Sequence, residues 1–414
     1  MLTSWVPGAD GSGFPAEHLP YGMFSDGEGG IRVGVRIGDQ VLDLARLVGD
    51  GLLDGLAGGL VGRLFGRSSL NAFLAAGPTM WHAVRRRLTE LVCDPSAEAR
   101  VAPALQPVGG VTLHLPFIVA DYVDFYSSIE HATNLGRLFR PDSDPLLPNW
   151  RHLPVGYHGR AGTVVVSGTP VARPCGQRLA AEGEVVFGPS VRLDIELEVG
   201  FVVGVPSQPG VPVTVTDAPA HVFGVVLVND WSARDIQAWE YQPLGPFLGK
   251  SFATSIGAWV TPLDALAGCR VPGPVQSPSP LPHLARGEAW GLDLALSVSL
   301  LPAGSSSPPE IVSATSAAGL YWTFPQQVAH MTSNGANLRT GDLLASGTVS
   351  GPDRGSEGSL LELTRGGAEP LTVAGESRTF LEDGDEVTLS GSAHVASGVT
   401  LTLAEVRGRI TPPW

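Results

Sequence analysis

Apolar and polar residues alternate in short segments over most of the chain, which is the pattern of strands that bury one face. Near the N-terminus the alternating segments are 21–24, 31–37 and 40–44. Residues 52–92 have helical spacing instead, and the pattern predicts that a helix ends within 81–88. After residue 112 the strand pattern returns, with few long helical segments. The sequence therefore predicts a mainly β fold of the α+β class.

Proline-containing breaks separate the helical region from the strand-rich remainder. Asp94-Pro95 and residues 103–107 interrupt the helical pattern, and proline ends helices because it lacks an N–H and clashes with the preceding turn. A chain of 414 residues is long enough for two domains. We therefore expect a small N-terminal domain at 1–112 and a larger C-terminal domain at 113–414.

Charge and composition narrow the classes of function. The 40 acidic and 26 basic residues give a net charge of −14, and a surface of this sign repels the phosphates of nucleic acids. The sequence has no run of about 18 apolar residues that could span a membrane. The first residues lack the pattern of a secretory signal, and three scattered cysteines, Cys93, Cys175 and Cys269, fit a reducing compartment. We expect a cytoplasmic protein that binds neither nucleic acid nor membranes.

Carboxylates alternate with apolar residues in segment 193–199. Asp194, Glu196 and Glu198 would lie on one face of a strand, with neighbouring side chains about 7 Å apart. Such a face is either solvated or shares a cation. No lysine or threonine lies between the three carboxylates to weaken their repulsion, which favours a shared cation.

A second polar segment leads to His131. Ser127 and Glu130 have the spacing of a capping box, so we predict a helix that begins at Ser127 with His131 in its first turn. The positive helix end favours a neutral imidazole, which can accept a proton as a general base. A histidine that makes only structural hydrogen bonds is the alternative. Asp124 and Tyr126 would lie just before the helix, where their side chains could converge on a site.

A third polar segment spans 228–241. One face of a helix there would carry Asp230, Arg234, Gln237 and Tyr241. The flanking Trp231 and Trp239 indicate that the opposite side is buried. The polar face would then line a cleft or face the solvent.

Lys250 is the only lysine among the 26 basic residues. It follows a Gly245-Pro246 turn that could hold its side chain in one direction. The segment lacks the first glycine of a phosphate-binding loop, and Pro246 lacks an N–H that such a loop uses, so nucleotide binding is not expected. A lysine ammonium is a compact charge that can release a proton, unlike a guanidinium, which favours a specific role for Lys250.

Together these segments indicate a metal-dependent site. The four candidate ligands are Asp124, Glu196, Glu198 and Asp230, which would repel each other strongly without a cation. A divalent ion together with Arg234 and Lys250 would nearly balance their charge. Ligation by oxygen alone is more typical of Ca²⁺ than of Mg²⁺, which keeps more water. The absence of clustered histidines or cysteines disfavours zinc.

Long stretches of the chain resemble the fumarylacetoacetate hydrolase family. The matching segments are 121–140 (DYVDFYSSIEHATNLGRLFR), 153–177 (LPVGYHGRAGTVVVSGTPVARPCGQ), 193–204 (LDIELEVGFVVG), 229–251 (NDWSARDIQAWEYQPLGPFLGKS) and 337–363, which contains GDLLASGTVSGPD. Residues 21–24 and 37–44 resemble the small first domain of the family, so the resemblance covers nearly the whole chain. It implies an SH3-like N-terminal barrel, a larger mixed β-roll catalytic domain and a homodimer.

The resemblance also implies roles for individual residues. The catalytic residues would be His131 as general base, Glu362 as the carboxylate that orients it, and Arg234, Gln237 and Lys250 as oxyanion donors. The substrate contacts would be Tyr126, Arg140, Tyr157, Gln237, Tyr241 and Thr348. The contacts of Ca²⁺ and/or Mg²⁺ would be Asp124, Glu196, Glu198, Asp230, Lys250 and Thr254. Ala253 replaces a usual glycine and Ile129-Glu130 departs from the expected pair, but neither change removes a catalytic side chain.

The activity implied by the resemblance is hydrolysis of a carbon–carbon bond in 4-fumarylacetoacetate, a β-diketo acid, to fumarate and acetoacetate, the last step of tyrosine catabolism. An acylpyruvate hydrolase or oxaloacetate decarboxylase of the same fold is one alternative, although such relatives usually lack the full N-terminal domain. A non-catalytic Ca²⁺-binding β module is another. It would explain the carboxylates but not His131, Glu362 and the single lysine.

Overall fold

The computed structural model describes residues 2–27, 30–56, 61–395 and 398–414, in which strands predominate. The first strands are β1 (Tyr21–Ser25), β2 (Arg32–Ile37), β3 (Gln40–Asp43), β4 (Leu105–Pro107), β5 (Thr112–His114), β6 (Tyr122–Phe125), β7 (Gly156–His158), β8 (Val164–Val166), β9 (Val171–Ala172), β10 (Cys175–Leu179), β11 (Val185–Pro189), β12 (Leu193–Asp194) and β13 (Leu197–Val203). The remaining strands are β14 (Val222–Asn229), β15 (Ser232–Ala233), β16 (Thr254–Ile256), β17 (Trp259–Pro262), β18 (Arg270–Val271), β19 (Gly291–Leu292), β20 (Leu294–Leu301), β21 (Glu310–Ser316), β22 (Leu343–Ala345), β23 (Leu371–Val373), β24 (Glu376–Arg378), β25 (Glu386–His394) and β26 (Thr400–Thr411). The α-helices are α1 (Leu44–Gly49), α2 (Val61–Phe65), α3 (Asn71–Leu74), α4 (Pro78–Cys93), α5 (Glu98–Val101), α6 (Ile129–Phe139), α7 (Arg234–Glu240), α8 (Phe324–Thr332) and α9 (Leu360–Leu363).

The N-terminal elements largely follow the sequence pattern. The three predicted strands are confirmed as β1, β2 and β3. The predicted helix end at 81–88 is wrong, because α4 continues to Cys93 and buries Leu88, Leu91 and Val92 along the same apolar face. Asp94, which precedes Pro95, is the C-cap of this helix. Residues 57–60 of the predicted helical region lie outside the described part of the chain.

One large mixed sheet joins the N-terminal strands to the rest of the chain. Its main path runs β4-β3-β2-β1-β17-β14-β13-β22-β6-β7. Strand β1 pairs with β17, with Tyr21 opposite Val260, so the first strands continue directly into the later ones. The predicted α+β class, dominated by sheets, is therefore confirmed. None of the described helices is long and apolar enough to cross a membrane.

Strand β14 is buried on both faces, which explains its nearly continuous apolar sequence. Val225 and Leu227 point into a core shared with the second sheet, β21-β20-β25-β26-β9. Val226 and Val228 point into the core beneath the N-terminal helices. Because packing holds β14 from both sides, Asp230, the residue that follows it, has a well-defined position.

Candidate active site

Four buried carboxylates meet where three strands of the large sheet lie close together. Asp124 lies on β6, Glu198 on β13, Glu196 just before β13 and Asp230 just after β14. Each offers an oxygen within 4.8 Å of the others. All four side chains are buried. This geometry is consistent with a shared site for these residues. The alternative prediction, a strand face exposed to solvent, is wrong.

The predicted continuous strand over 193–199 is interrupted. Strand β12 ends at Asp194 and β13 begins at Leu197, and in the gap the N–H of Glu196 donates to Oδ1 of Asn229 at 3.1 Å. Asp194 instead accepts from Nε of Arg234 at 2.8 Å. The interruption therefore separates Asp194 from the acidic cluster, which the alternating pattern alone could not predict.

Several oxygens of the cluster have no protein partner. Among the described residues, Oδ1 of Asp124 and both carboxylate oxygens of Glu198 are buried without a hydrogen bond. Burial raises the pKa of Glu198, and the carboxylate of Asp124 raises it further. Burial likewise raises the pKa of Asp124. Unpaired buried carboxylate oxygens are the ligands that a hard divalent cation prefers, so these residues fit such an ion.

Lys250 and Thr254 contact the other side of the cluster. The ammonium of Lys250 donates to Glu196, and it lies 2.6 Å from Oδ2 of Asp230. The hydroxyl of Thr254 donates to Oδ1 of Asp230 at 3.0 Å. Burial would lower the pKa of Lys250, but Asp230 and Glu196 outweigh burial and raise it. The ammonium therefore keeps its charge inside the protein.

His131 lies in the first turn of α6, as predicted, but the N-cap of this helix is Ser128, one residue after the expected Ser127. Oγ of Ser128, not Ser127, accepts from the N–H of His131 at 3.3 Å. The hydroxyl of Ser127 instead accepts from Nε2 of Gln327 at 2.8 Å. The predicted capping box with Glu130 is therefore wrong, because a tertiary contact occupies Ser127.

Glu362 is surrounded by hydrogen-bond donors. Its Oε2 lies 2.7 Å from Nδ1 of His131, and it accepts further bonds from Asn134 at 3.0 Å, Ser350 at 3.0 Å and Ser359 at 2.8 Å. Burial alone would raise the pKa of Glu362, but His131, Asn134 and Ser359 lower it. An ionised Glu362 favours the tautomer with the proton on Nδ1, which leaves Nε2 of His131 as an acceptor.

Sequence reasoning missed the three other donors to Glu362. The position of Ser359 could have been predicted from the sequence, because Ser359 and Glu362 have the spacing of a capping box. In the structure Ser359 is the N-cap of α9. Asn134 lies three residues after His131 on α6, so the two share a helix face. Ser350 had no local signal, because only the tertiary fold brings it to Glu362.

A cavity of about 490 Å³ lies in front of these groups. The predicted site residues that line it are Asp124, Tyr126, His131, Arg140, Tyr157, Glu196, Arg234, Gln237, Tyr241, Lys250 and Thr348. Glu198, Asp230, Thr254 and Glu362 do not line it, although Asp230 contacts Lys250 and Glu362 contacts His131, which do. The predicted site residues are thus brought to one location from segments that are far apart in sequence.

Arg234 and Gln237 lie on α7, but a helix that also includes Asp230 is wrong. Strand β14 extends to Asn229, so α7 begins only at Arg234 and ends at Glu240. Nη1 of Arg234 lies 2.8 Å from Glu196 and 3.5 Å from Oε1 of Gln237. Its buried Nη2 has no partner among the described residues, so Arg234 keeps a donor available.

The two tryptophans beside α7 differ in environment. Trp231 is fully buried, and its indole N–H donates to Ser255 at 2.9 Å. Trp239 is 40% exposed, and its indole N–H points to Gln177 of β10 at 3.4 Å. The prediction that both tryptophans lie on a buried side is therefore wrong for Trp239.

Comparisons with known proteins agree with this architecture. The family model "Fumarylacetoacetate (FAA) hydrolase C-terminal" matches residues 122–408, and "Fumarylacetoacetase N-terminal" matches 17–116. The chain is 48% identical to a fumarylacetoacetase of Caenorhabditis elegans and 46% identical to one of Rattus norvegicus, each over 99% of both chains. A solved fumarylacetoacetate hydrolase from psychrophilic Exiguobacterium antarcticum has a similar fold, with a TM-score of 0.57 and 15% identity over 95% of this chain and 99% of that one. The chain belongs to the fumarylacetoacetate hydrolase family.

Proposed function

We propose that the protein hydrolyses a carbon–carbon bond of 4-fumarylacetoacetate to give fumarate and acetoacetate. The observation that carries this proposal is the cavity in which His131, held by Glu362, faces the donors Arg234 and Lys250 beside an acidic cluster. The relatives named fumarylacetoacetase match over nearly the full chain, which supports the same substrate here.

His131 is the general base. Its Nδ1 proton is held by Glu362, so Nε2 can take a proton from water as that water attacks the carbonyl carbon. The imidazolium that forms is stabilised by the Glu362 carboxylate. The T-shaped contact of the His131 and Tyr126 rings, with centroids 5.3 Å apart, helps to hold the imidazole in place.

Donors in the cavity stabilise the charge that develops during attack. Arg234, Gln237 and Lys250 line the cavity and stabilise the oxyanion, where a single donor is typically worth about 10²–10³ in rate. When the carbon–carbon bond breaks, its electron pair stays on the acetoacetate carbon. Lys250 donates a proton to that carbon.

The substrate's carboxylates and acyl chain bind along the remaining wall. Nε of Arg140 and Oγ1 of Thr348 are buried without a partner among the described residues, so both can bond a substrate oxygen. The phenol groups of Tyr126, Tyr157 and Tyr241 lie along the same cavity.

The four clustered carboxylates would hold a divalent cation, with Lys250 and Thr254 beside them. When bound, such an ion supplies Lewis-acid polarisation of the diketone carbonyls. Ca²⁺ and Mg²⁺ are both compatible with oxygen ligands, and the density of carboxylates favours Ca²⁺.

Further features of the proposal concern the whole molecule. We assign an SH3-like barrel to residues 1–112 and a β-roll to 113–414, a division supported by the two matched family ranges. We also propose a cytoplasmic homodimer. Exposed apolar side chains on β11 and on the loop after α7, such as Phe187, Leu244 and Phe247, support a second copy as a partner. Three cysteines without disulfides support a reducing compartment.

The test is a turnover assay that follows the loss of diketone absorbance. Purified protein with Ca²⁺ or Mg²⁺ should hydrolyse fumarylacetoacetate, and it should leave acylpyruvates and oxaloacetate largely unchanged. His131→Ala should abolish turnover, whereas His152→Ala, which changes an exposed histidine outside the cavity, should not. Preferential turnover of an acylpyruvate or of oxaloacetate would contradict the proposed substrate.

A further inference from the structure

A second cavity, of about 540 Å³, lies on the opposite side of helix α6 from the active-site cavity. His131 and Leu135 of this helix line the active-site cavity, whereas Thr133 and Asn134 line the second one. No described residue lines both cavities. Helix α6 therefore forms a wall between the two spaces, with the candidate base on one side of it.

Glu362 lines the second cavity, although its partner His131 lines the active-site cavity. The hydrogen bond between them thus crosses the wall. The side chain of Glu362 is 0% exposed, so the carboxylate is kept from solvent. Asn134 lines the same cavity as Glu362 and contacts its carboxylate, which makes Asn134 the candidate for the residue that controls this side of the pair.

The donors to Glu362 divide unequally between its two carboxylate oxygens. Oε2 lies 2.7 Å from Nδ1 of His131 and accepts from Ser359 at 2.8 Å. The hydroxyl of Ser350 lies 3.0 Å from both oxygens, but it has only one proton to donate. Nδ2 of Asn134 donates to Oε1 alone, at 3.0 Å. Among the described residues, Asn134 is therefore the side chain that bonds Oε1 without also contacting Oε2.

A bond at each oxygen fixes the plane of the carboxylate. The last torsion of a glutamate side chain has a broad preference, so bonds to Oε2 alone would restrain it weakly. His131 and Asn134 are three residues apart on α6, which makes them neighbours on the helix surface. One helix thus binds both oxygens of Glu362, and the carboxylate is oriented relative to the imidazole that it supports.

We propose that Asn134 is a positioning residue of the catalytic base. Its amide holds Oε1 of Glu362, which directs Oε2 at Nδ1 of His131 and keeps the proton on that nitrogen. Asn134 does not line the active-site cavity, so it acts through Glu362 and not by contact with the substrate. The effect on turnover rests on the proposed function, in which His131 accepts a proton from water.

Proton NMR tests the position of the base without any substrate. The Nδ1 proton of His131 should give a downfield resonance, because it is bonded to a buried carboxylate, and His131→Ala should identify this resonance by removing it. Asn134→Ala removes the donor and opens the carboxylate to the second cavity, so the resonance should broaden severalfold through exchange with water. Asn134→Leu, which has a similar size but no donor, should broaden it as well.

Steady-state kinetics tests the consequence for turnover. In Asn134→Ala and Asn134→Leu, kcat should fall by about tenfold while KM stays within about twofold, because a misdirected base slows the chemical step and not substrate binding. Circular dichroism is the folding control. Thr133→Val changes the adjacent residue of the same cavity wall, and it should keep both the resonance and kcat of the wild type.

The inference is overturned if the wild type shows no such resonance, or if the resonance stays sharp in both Asn134 variants. It is also overturned if both variants keep the wild-type kcat, if KM rises as much as kcat falls, or if Thr133→Val has the same effects. A wild-type protein that does not hydrolyse fumarylacetoacetate, with the resonance changing as expected in the Asn134 variants, would contradict only the proposed function.

Discussion

Nδ1 of His131 and Oε2 of Glu362 lie 2.7 Å apart, although 231 residues separate them in the chain. The carboxylate also accepts from Asn134, Ser350 and Ser359, so its orientation does not depend on the histidine alone. The pair is therefore preorganised to hold one imidazole tautomer before substrate arrives. The first prediction follows from this geometry.

Replacing Glu362 by glutamine should leave a folded protein with kcat lower by about 10²–10⁴, the usual contribution of general base catalysis. The amide can still accept a hydrogen bond from Nδ1, but it carries no charge to stabilise the imidazolium. Steady-state kinetics with circular dichroism as the folding control measures the effect. Glu369→Gln changes an exposed glutamate and should keep the wild-type rate. Near wild-type kcat for Glu362→Gln would show that the carboxylate charge is not used.

Metal affinity should depend on Glu198. Both of its carboxylate oxygens are buried without a protein partner, so Glu198→Gln should weaken Ca²⁺ or Mg²⁺ binding by at least about tenfold and lower turnover with it. Because burial and Asp124 raise the pKa of Glu198, protons compete with the metal, and affinity should rise with pH. Calorimetry at several pH values measures both effects. Full activity after exhaustive chelation, with metal content checked by mass spectrometry, would contradict the metal requirement.

The ammonium of Lys250 should not be replaceable by a guanidinium. It lies between Glu196 and Asp230, where a larger planar cation would have to displace a carboxylate and could not release a proton near neutral pH. Lys250→Arg should therefore lose activity almost as severely as Lys250→Met. The measurement is kcat for both variants, with circular dichroism and bound metal as controls. If Lys250→Arg works within a fewfold of the wild type, the role assigned to the ammonium is wrong.

His18 should make folding stability sensitive to acid. Its Nε2 lies 2.9 Å from Oγ1 of Thr261, and burial lowers the pKa of His18 from 6.5 to about 3. As pH falls, His18 takes up a proton in the unfolded chain before it does so in the folded protein. The free energy of unfolding therefore decreases below about pH 6.5, by about 1.4 kcal/mol per pH unit from this group. His18→Gln should remove this slope from urea unfolding measured between about pH 7 and pH 4.5. His152→Gln, at an exposed histidine, should retain it. An unchanged slope in His18→Gln would contradict the assignment.

The sequence correctly predicted the strands that depend only on the pattern of neighbouring residues. The strands β1, β2 and β3 follow from the alternation of apolar and polar residues. Where tertiary contacts competed with local signals, the predictions were wrong. The side-chain amide of Gln327 donates a hydrogen bond to the hydroxyl of Ser127, and Ser128 is the N-cap of the helix instead. Pairing extends β14 to Asn229, so α7 starts only at Arg234.

By itself, the sequence determined which residue types were available for chemistry and placed the carboxylates on or beside strands. Only the tertiary structure decided which of them meet. Asp194 and Glu196 differ by two positions, yet a break in the strand directs Asp194 to Arg234 and leaves Glu196 with Asp124, Glu198 and Asp230. Likewise, no local pattern could bring Ser350 to Glu362. The physical reason is that periodicity and capping act over a few residues, whereas strand pairing and core packing set distances between segments hundreds of residues apart.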